Sequence, residues 1–237
     1  MEYHNELFQD SVLAVMELQR DLLFHRIPDG KTKEYVDISL RTGREQAQHF
    51  SGHALAELCR ERGIHVQISE AAQGMAGMTF RAKIEYGETG AVFTLFAPAV
   101  CNLMDVVNPL LLPEDRFTFQ KACDMLVAHE FFHYLEFTEL GDTADLTEKV
   151  SIAKLFGKPR QARIMRCGEV AAHAFAKEFL GLSFLPNLTD YLYFVATKKW
   201  TEKELNEKLL LAAAMLDDRN CSEANGEKAG VCYEGYL

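Results

Sequence analysis

The sequence predicts an α+β fold: a small, mostly antiparallel sheet packed on a long apolar helix, with additional helices toward both ends of the chain. Three observations lead to it. Hydrophobic residues alternate with period two between 64 and 96, an apolar stretch after Pro113 meets no glycine or proline before Gly141, and residues 5–26 and 187–216 carry apolar side chains at helical spacing. With 237 residues, 48% of them hydrophobic, the chain can bury the core of one domain. That domain is expected over residues 1–217 with its centre in 64–186, followed by a loosely ordered tail over 218–237 that carries Cys221 and Cys232.

Phe8, Val12, Val15, Met16, Leu22 and Leu23 mark an amphipathic first helix, which Pro28-Asp29-Gly30 ends. A second helix is expected over 44–62, with Ala47, Ala54, Leu55 and Leu58 on one side and a stop at Gly63. Its His49 and His53 are four apart, but no acidic residue lies between them, and they read as surface or satisfied core groups. Ile64, Val66 and Ile68 then alternate with His65 and Gln67, as in a half-buried strand. Met78, Phe80, Ala82, Ile84 and Tyr86 share one face of the next strand, and Gly87-Glu88-Thr89-Gly90 turns it into residues 91–96, making a hairpin. Pro113-Glu114-Asp115 supplies a proline and two carboxylates for the amino end of the long helix. Residues 141–160 are polar and broken by Gly141, Gly157 and Pro159, so a loop or short helices are expected there. A further helix over 187–197 and a capping box, Thr201-Glu202-Lys203-Glu204, opening a last helix with Leu205, Leu209, Ala212 and Leu216 complete the chain.

Charge and cysteine usage exclude several classes of function. With 25 basic against 35 acidic residues the net charge is −10, which repels phosphate backbones, so neither nucleic acid nor an anionic membrane is expected as partner. The amino terminus carries Glu2, His4, Glu6 and Asp10 where a secretory signal would be basic, and no run of about 18 apolar residues occurs. Six cysteines lie far apart with no C-x-x-C pair, which suits a reduced cytoplasm; Cys123 and Cys167 read as small buried residues.

The chemistry sits in His129-Glu130-Phe131-Phe132-His133, within the long helix. Two histidines four apart leave one helix face a turn apart and can share one metal ion, most simply zinc, while Glu130 is turned too far round to bind with them and can take a proton from an activated water. Catalytic zinc usually has three protein ligands and one open position. A metzincin pattern would continue with glycine and histidine where this chain has Glu136 and Glu139, so that class is excluded. Glu169, on a second expected helix with a small-residue face, is the stronger candidate for the third ligand, and Glu136 is the other.

His129-Glu130-x-x-His133, followed by Glu169-x-x-Ala172-x-x-Phe175-Ala176-x-x-Phe179-Leu180 and then Pro186, resembles the ImmA/IrrE family of zinc metallopeptidases over about residues 78–186. The resemblance implies a zincin-like fold, Zn²⁺ on His129, His133 and Glu169, Glu130 as general base, and a cytoplasmic protein or peptide substrate, often a transcriptional regulator. The sequence departs from the family at His173, where the family has asparagine; one turn beyond Glu169, His173 is expected to act at the site by orienting a ligand, stabilising an oxyanion or closing the fourth position. The rival reading is a regulatory binding protein that keeps the fold and metal without peptidase activity.

Overall fold

A computed structural model describes residues 6–217, apart from 73, 76, 77, 89, 156 and 157; the expected tail with Cys221 and Cys232 lies outside the described residues. In chain order the elements are α1 (Asp10–Leu18), α2 (Thr32–His49), α3 (Leu55–Glu61), β1 (Ile64–Ser69), β2 (Gly74–Met75), β3 (Met78–Thr79), β4 (Ala82–Gly87), β5 (Gly90–Phe96), α4 (Ala97–Val107), α5 (Phe119–Leu135), β6 (Val150–Leu155), β7 (Lys158–Ala162), α6 (Arg166–Leu180), α7 (Leu188–Ala196) and α8 (Glu202–Ala214). The architecture is α+β with a small, mostly antiparallel sheet.

The main sheet has the order β1-β5-β4. β4 runs antiparallel to β5 through the expected hairpin, whereas β1 lies parallel to β5 on its other side. Phe93 and Leu95 of the central β5 are buried, but β1 leaves the core after Ile64, so Val66 and Ile68 are exposed, contrary to a half-buried strand. The contiguous core extends from Val12 to Ala212, well outside the expected centre at 64–186.

α5 is buried almost all round, with Ala128, Phe131, Phe132 and Leu135 fully enclosed. Its start differs from the expectation. Pro113–Asp115 forms only a 3-10 turn, and the helix opens at Thr118, whose hydroxyl accepts from the Lys121 N–H at 3.2 Å. At its far end the helix widens into a π turn over Glu136–Leu140 and stops at Gly141, whose φ of 76° a side chain would disfavour.

α6 lies between α2 and α5 and turns small residues inward: Gly168, Ala171, Ala172, Ala174 and Ala176 are all buried. α2 answers with Gly43, where an added Cβ would stand 2.1 Å from the Ala171 carbonyl oxygen. A mid-helix glycine costs about 1 kcal/mol against alanine; here it permits backbone-to-backbone packing.

Other expectations need correction. The first helix ends at Leu18 instead of continuing to 26, because the Asp21 carboxylate accepts from the Leu23 N–H at 2.9 Å and turns the chain, leaving Leu22 91% exposed. The helix expected over 44–62 begins at Thr32 and is broken between His49 and Leu55. Residues 141–160 contribute a 3-10 turn and most of the β6–β7 hairpin. The last two helices form as expected, with both arms of the Thr201–Glu204 capping box present. No helix among the described residues is long and apolar enough to cross a membrane.

Candidate metal centre

His129 and His133 leave the inner face of α5 one turn apart, and α6 brings Glu169 against them. The donor atoms of these three residues lie within 4.8 Å of one another, and among the described residues they form the one such group of three or more. Separately, the two Nε2 atoms are 3.1 Å apart, His129 Nε2 is 3.4 Å from Glu169 Oε2, and His133 Nε2 is 3.8 Å from Glu169 Oε1. Tetrahedral zinc with bonds of about 2.0–2.1 Å requires its donors to be about 3.3 Å apart. The two nitrogens and the His129–Glu169 pair are near that spacing, the His133–Glu169 pair is wider, and two imidazoles with a carboxylate are donor types zinc takes.

Glu136, the other candidate for third ligand, stands behind the donors. Its Oε2 accepts from His133 Nδ1–H at 2.9 Å, and its Oε1 accepts from the Thr143 N–H at 2.9 Å and the Thr143 hydroxyl at 2.6 Å. This carboxylate fixes the His133 ring so that Nε2 faces the other donors. α6 comes close enough to touch it because residue 168 is glycine: a Cβ there would meet both Glu136 oxygens at 3.0–3.1 Å.

The local electrostatics follow from these contacts. Burial alone would pull the His133 pKa down, but Glu136 and Glu169 outweigh it and raise it to about 10. Burial would likewise raise Glu169, yet hydrogen bonds and charge from His129 and His133 hold it well below the usual carboxylate range. Glu136 is lowered despite its burial by His133 and Thr143.

His173 is not in the donor set. Its ring centroid is 4.5 Å from that of His129, and the enclosed Nδ1 atoms of both residues have no hydrogen-bond partner. Burial, then the neighbouring His129, push its pKa well down, so it is neutral. The geometry therefore brings His129, His133 and Glu169 together, sets His173 beside His129, and gives no fourth ligand among the described residues.

Beside the donors lies a cavity of about 460 Å³ whose wall includes His129, Glu130, Glu169 and His173, with Arg81 and Ala82 at the start of β4. Among the described residues β4 pairs with β5 alone, so its other edge is open next to the site. Tyr86 near the far end of β4 is 45% exposed and packs 4.3 Å from Phe137 of the π turn.

Among the described residues the cysteines stay out of the centre. Cys123 and Cys167 are buried, burial pushes both thiols up to about 11, and the Cys167 sulfur sits 3.9 Å from the Thr147 hydroxyl. His49 and His53 are exposed. Sequence reasoning missed the support that Glu136 and Thr143 give to His133. Its signal was available in part, since a carboxylate three residues after His133 lies on nearly the same helix face. Comparison of the chain with protein-family models, with curated proteins and with solved structures returned no match.

Proposed function

We propose that this protein is a zinc-dependent metallopeptidase with a zincin-like site, hydrolysing a peptide bond in a protein substrate. The observation that carries the reading is the gathering of the His129, His133 and Glu169 donors within 4.8 Å of one another, beside an open cleft that Glu130 also lines. A zinc ion held there would supply Lewis acidity, lowering the pKa of a water toward neutrality and polarising the peptide carbonyl.

The chain's own residues do the rest. Glu130 takes the proton from the attacking water and delivers it to the leaving amine. Glu136 keeps the proton of His133 on Nδ1, away from the donor atom. The open edge of β4 offers backbone N–H and C=O groups to an extended peptide. His173, a neutral imidazole whose ring is in the cleft wall, is suited to donate an N–H to the oxyanion that develops on the carbonyl. The narrower substrate class, a cytoplasmic regulatory protein, rests on the resemblance to the ImmA/IrrE family alone.

The test pairs metal content with turnover. Purified protein should carry about one zinc per chain and cleave peptides, and Glu130→Gln should keep the zinc while hydrolysis falls by more than about 100-fold. Hydrolysis that survives in Glu130→Gln would remove the general-base role, and protein that binds no zinc would remove the metallopeptidase.

A further inference from the structure

Four cationic side chains converge on the cleft, in a chain whose net charge is −10. Arg20 follows α1, Arg81 precedes β4, Arg166 opens α6 and Lys199 follows α7. Two carboxylates steady the three guanidinium groups. Glu17, fully buried, accepts from Arg20 at 3.0 Å on one oxygen and from Arg166 at 2.9 Å on the other. Asp190 pairs with Arg81 and stands 3.9 Å from Arg20.

All these contacts run through Nη1, whereas an arginine has five N–H donors. Among the described residues no hydrogen bond engages Nε or Nη2 of Arg20, Arg81 or Arg166. Their side chains are 43%, 27% and 32% exposed, so the spare donors are within reach of a ligand. The four cations gather with Glu17 and Asp190 on one side of the cleft, and Glu130 and Glu169 line its metal side. An anchored guanidinium with two adjacent free N–H groups is a bidentate receptor for a carboxylate. Because Arg81 immediately precedes β4, a peptide laid along that strand's open edge brings one of its residues beside the arginines.

We propose that the cleft selects a carboxylate on the bound peptide, an Asp or Glu side chain or a free carboxyl terminus, held by Arg20, Arg81 and Arg166. The proposal deepens the peptidase reading and rests on it for the identity of the ligand as a peptide.

The test reads binding and cleavage separately. Zinc-loaded Glu130→Gln protein is mixed with a degenerate synthetic heptapeptide pool, half with free and half with amidated carboxyl termini, and the retained peptides are sequenced by mass spectrometry. The expected result is an enrichment of about tenfold for Asp or Glu over Asn or Gln at one position, or for free over amidated termini. The first outcome assigns a side-chain carboxylate and the second a terminal one, and either supports the proposal. Arg81→Gln should cut the enrichment severalfold. So should the double variant Glu17→Gln/Arg166→Gln, which avoids stranding the buried Glu17. Circular dichroism identifies the variants that remain folded. Equal retention of acidic and neutral peptides, or enrichment unchanged in both folded variants, would overturn the proposal. Whether zinc-loaded native protein then cuts the enriched peptides decides the peptidase reading alone: peptides selected for charge but never cut would sink that reading and leave the carboxylate site standing.

Discussion

The two histidines at the proposed metal centre stand one turn apart on the same helix, yet they are secured in opposite ways. His133 turns its Nδ1 away from the cleft to Glu136, which Thr143 holds in turn. His129 lines the cleft, faces His173, and keeps an enclosed Nδ1 with no partner. Orientation is fixed by a hydrogen-bonded carboxylate at His133 and by ring packing against His173 at His129. An unpaired enclosed nitrogen costs stability, so the His129 side is the less firmly held of the two.

The largest effect expected on this asymmetry is loss of the donor that touches both sides. Glu169→Ala should lower zinc affinity by more than about 100-fold, because two protein ligands hold zinc weakly; a variant that still binds one zinc per chain with native affinity would break the donor set. The supports behind the two histidines should then separate. Glu136→Gln should cost about 10–100-fold in zinc affinity, while His173→Ala should change it less than about threefold and act on turnover instead. Equal losses of zinc in the two variants would abolish the distinction drawn here.

Titration gives a third test. In the metal-free protein His133 has its pKa raised from 6.5 to about 10, so its charged form adds stability that is complete below pH 6.5 and lost as pH rises through about 10. Glu169, lowered from 4.5, contributes stability above that value which is lost as pH falls through its folded pKa. Zinc needs the deprotonated Nε2, so near neutral pH binding should release about one proton, and affinity should rise with pH until about 10. Calorimetry in buffers of different ionisation enthalpy counts that proton, and a count of zero would show that His133 is not the charged group.

The smallest effects probe the second layer. Thr143→Val removes a buried hydroxyl from Glu136 and should cost about 0.5–1.5 kcal/mol in denaturant unfolding. Gly168→Ala must displace the Glu136 carboxylate by a few tenths of an ångström, and should weaken zinc severalfold while leaving the fold intact. An unchanged zinc affinity in Gly168→Ala would mean that the position of Glu136 is not critical.

The site was more legible in the sequence than the fold around it. His129, His133 and Glu169 could be picked out because ligand spacing on a helix is local information and the second helix announces itself by its alanines. Glu136 was visible as a carboxylate near His133, but its direction depends on Thr143 and on the π turn, and neither is encoded within one helical period. α4 was missed because it follows β5 directly, so one largely apolar run from 91 to 107 contains two periods, with Pro98 in the first helical turn as the signal of the change. The β6–β7 hairpin was hidden by its glycine, proline and polar residues, which read as loop wherever pairing is decided by tertiary context. The arginines of the cleft come from segments far apart in the chain, and only folding shows that they meet.

The glycine at 43 and the alanines of α6 have a further consequence, in entropy. Main-chain atoms of α2 and α6 are in direct contact, and α6 carries Glu169 against α5, so the three donors are positioned by backbone packing. The ordering cost is met when the chain folds, not when the ion arrives. Chelation should therefore leave secondary structure in place and lower the unfolding free energy only by what bound zinc adds, about 2.7 kcal/mol at a free zinc concentration 100 times Kd. The emptied centre should accept cobalt or another tetrahedral ion without refolding, which makes it open to spectroscopy by metal exchange.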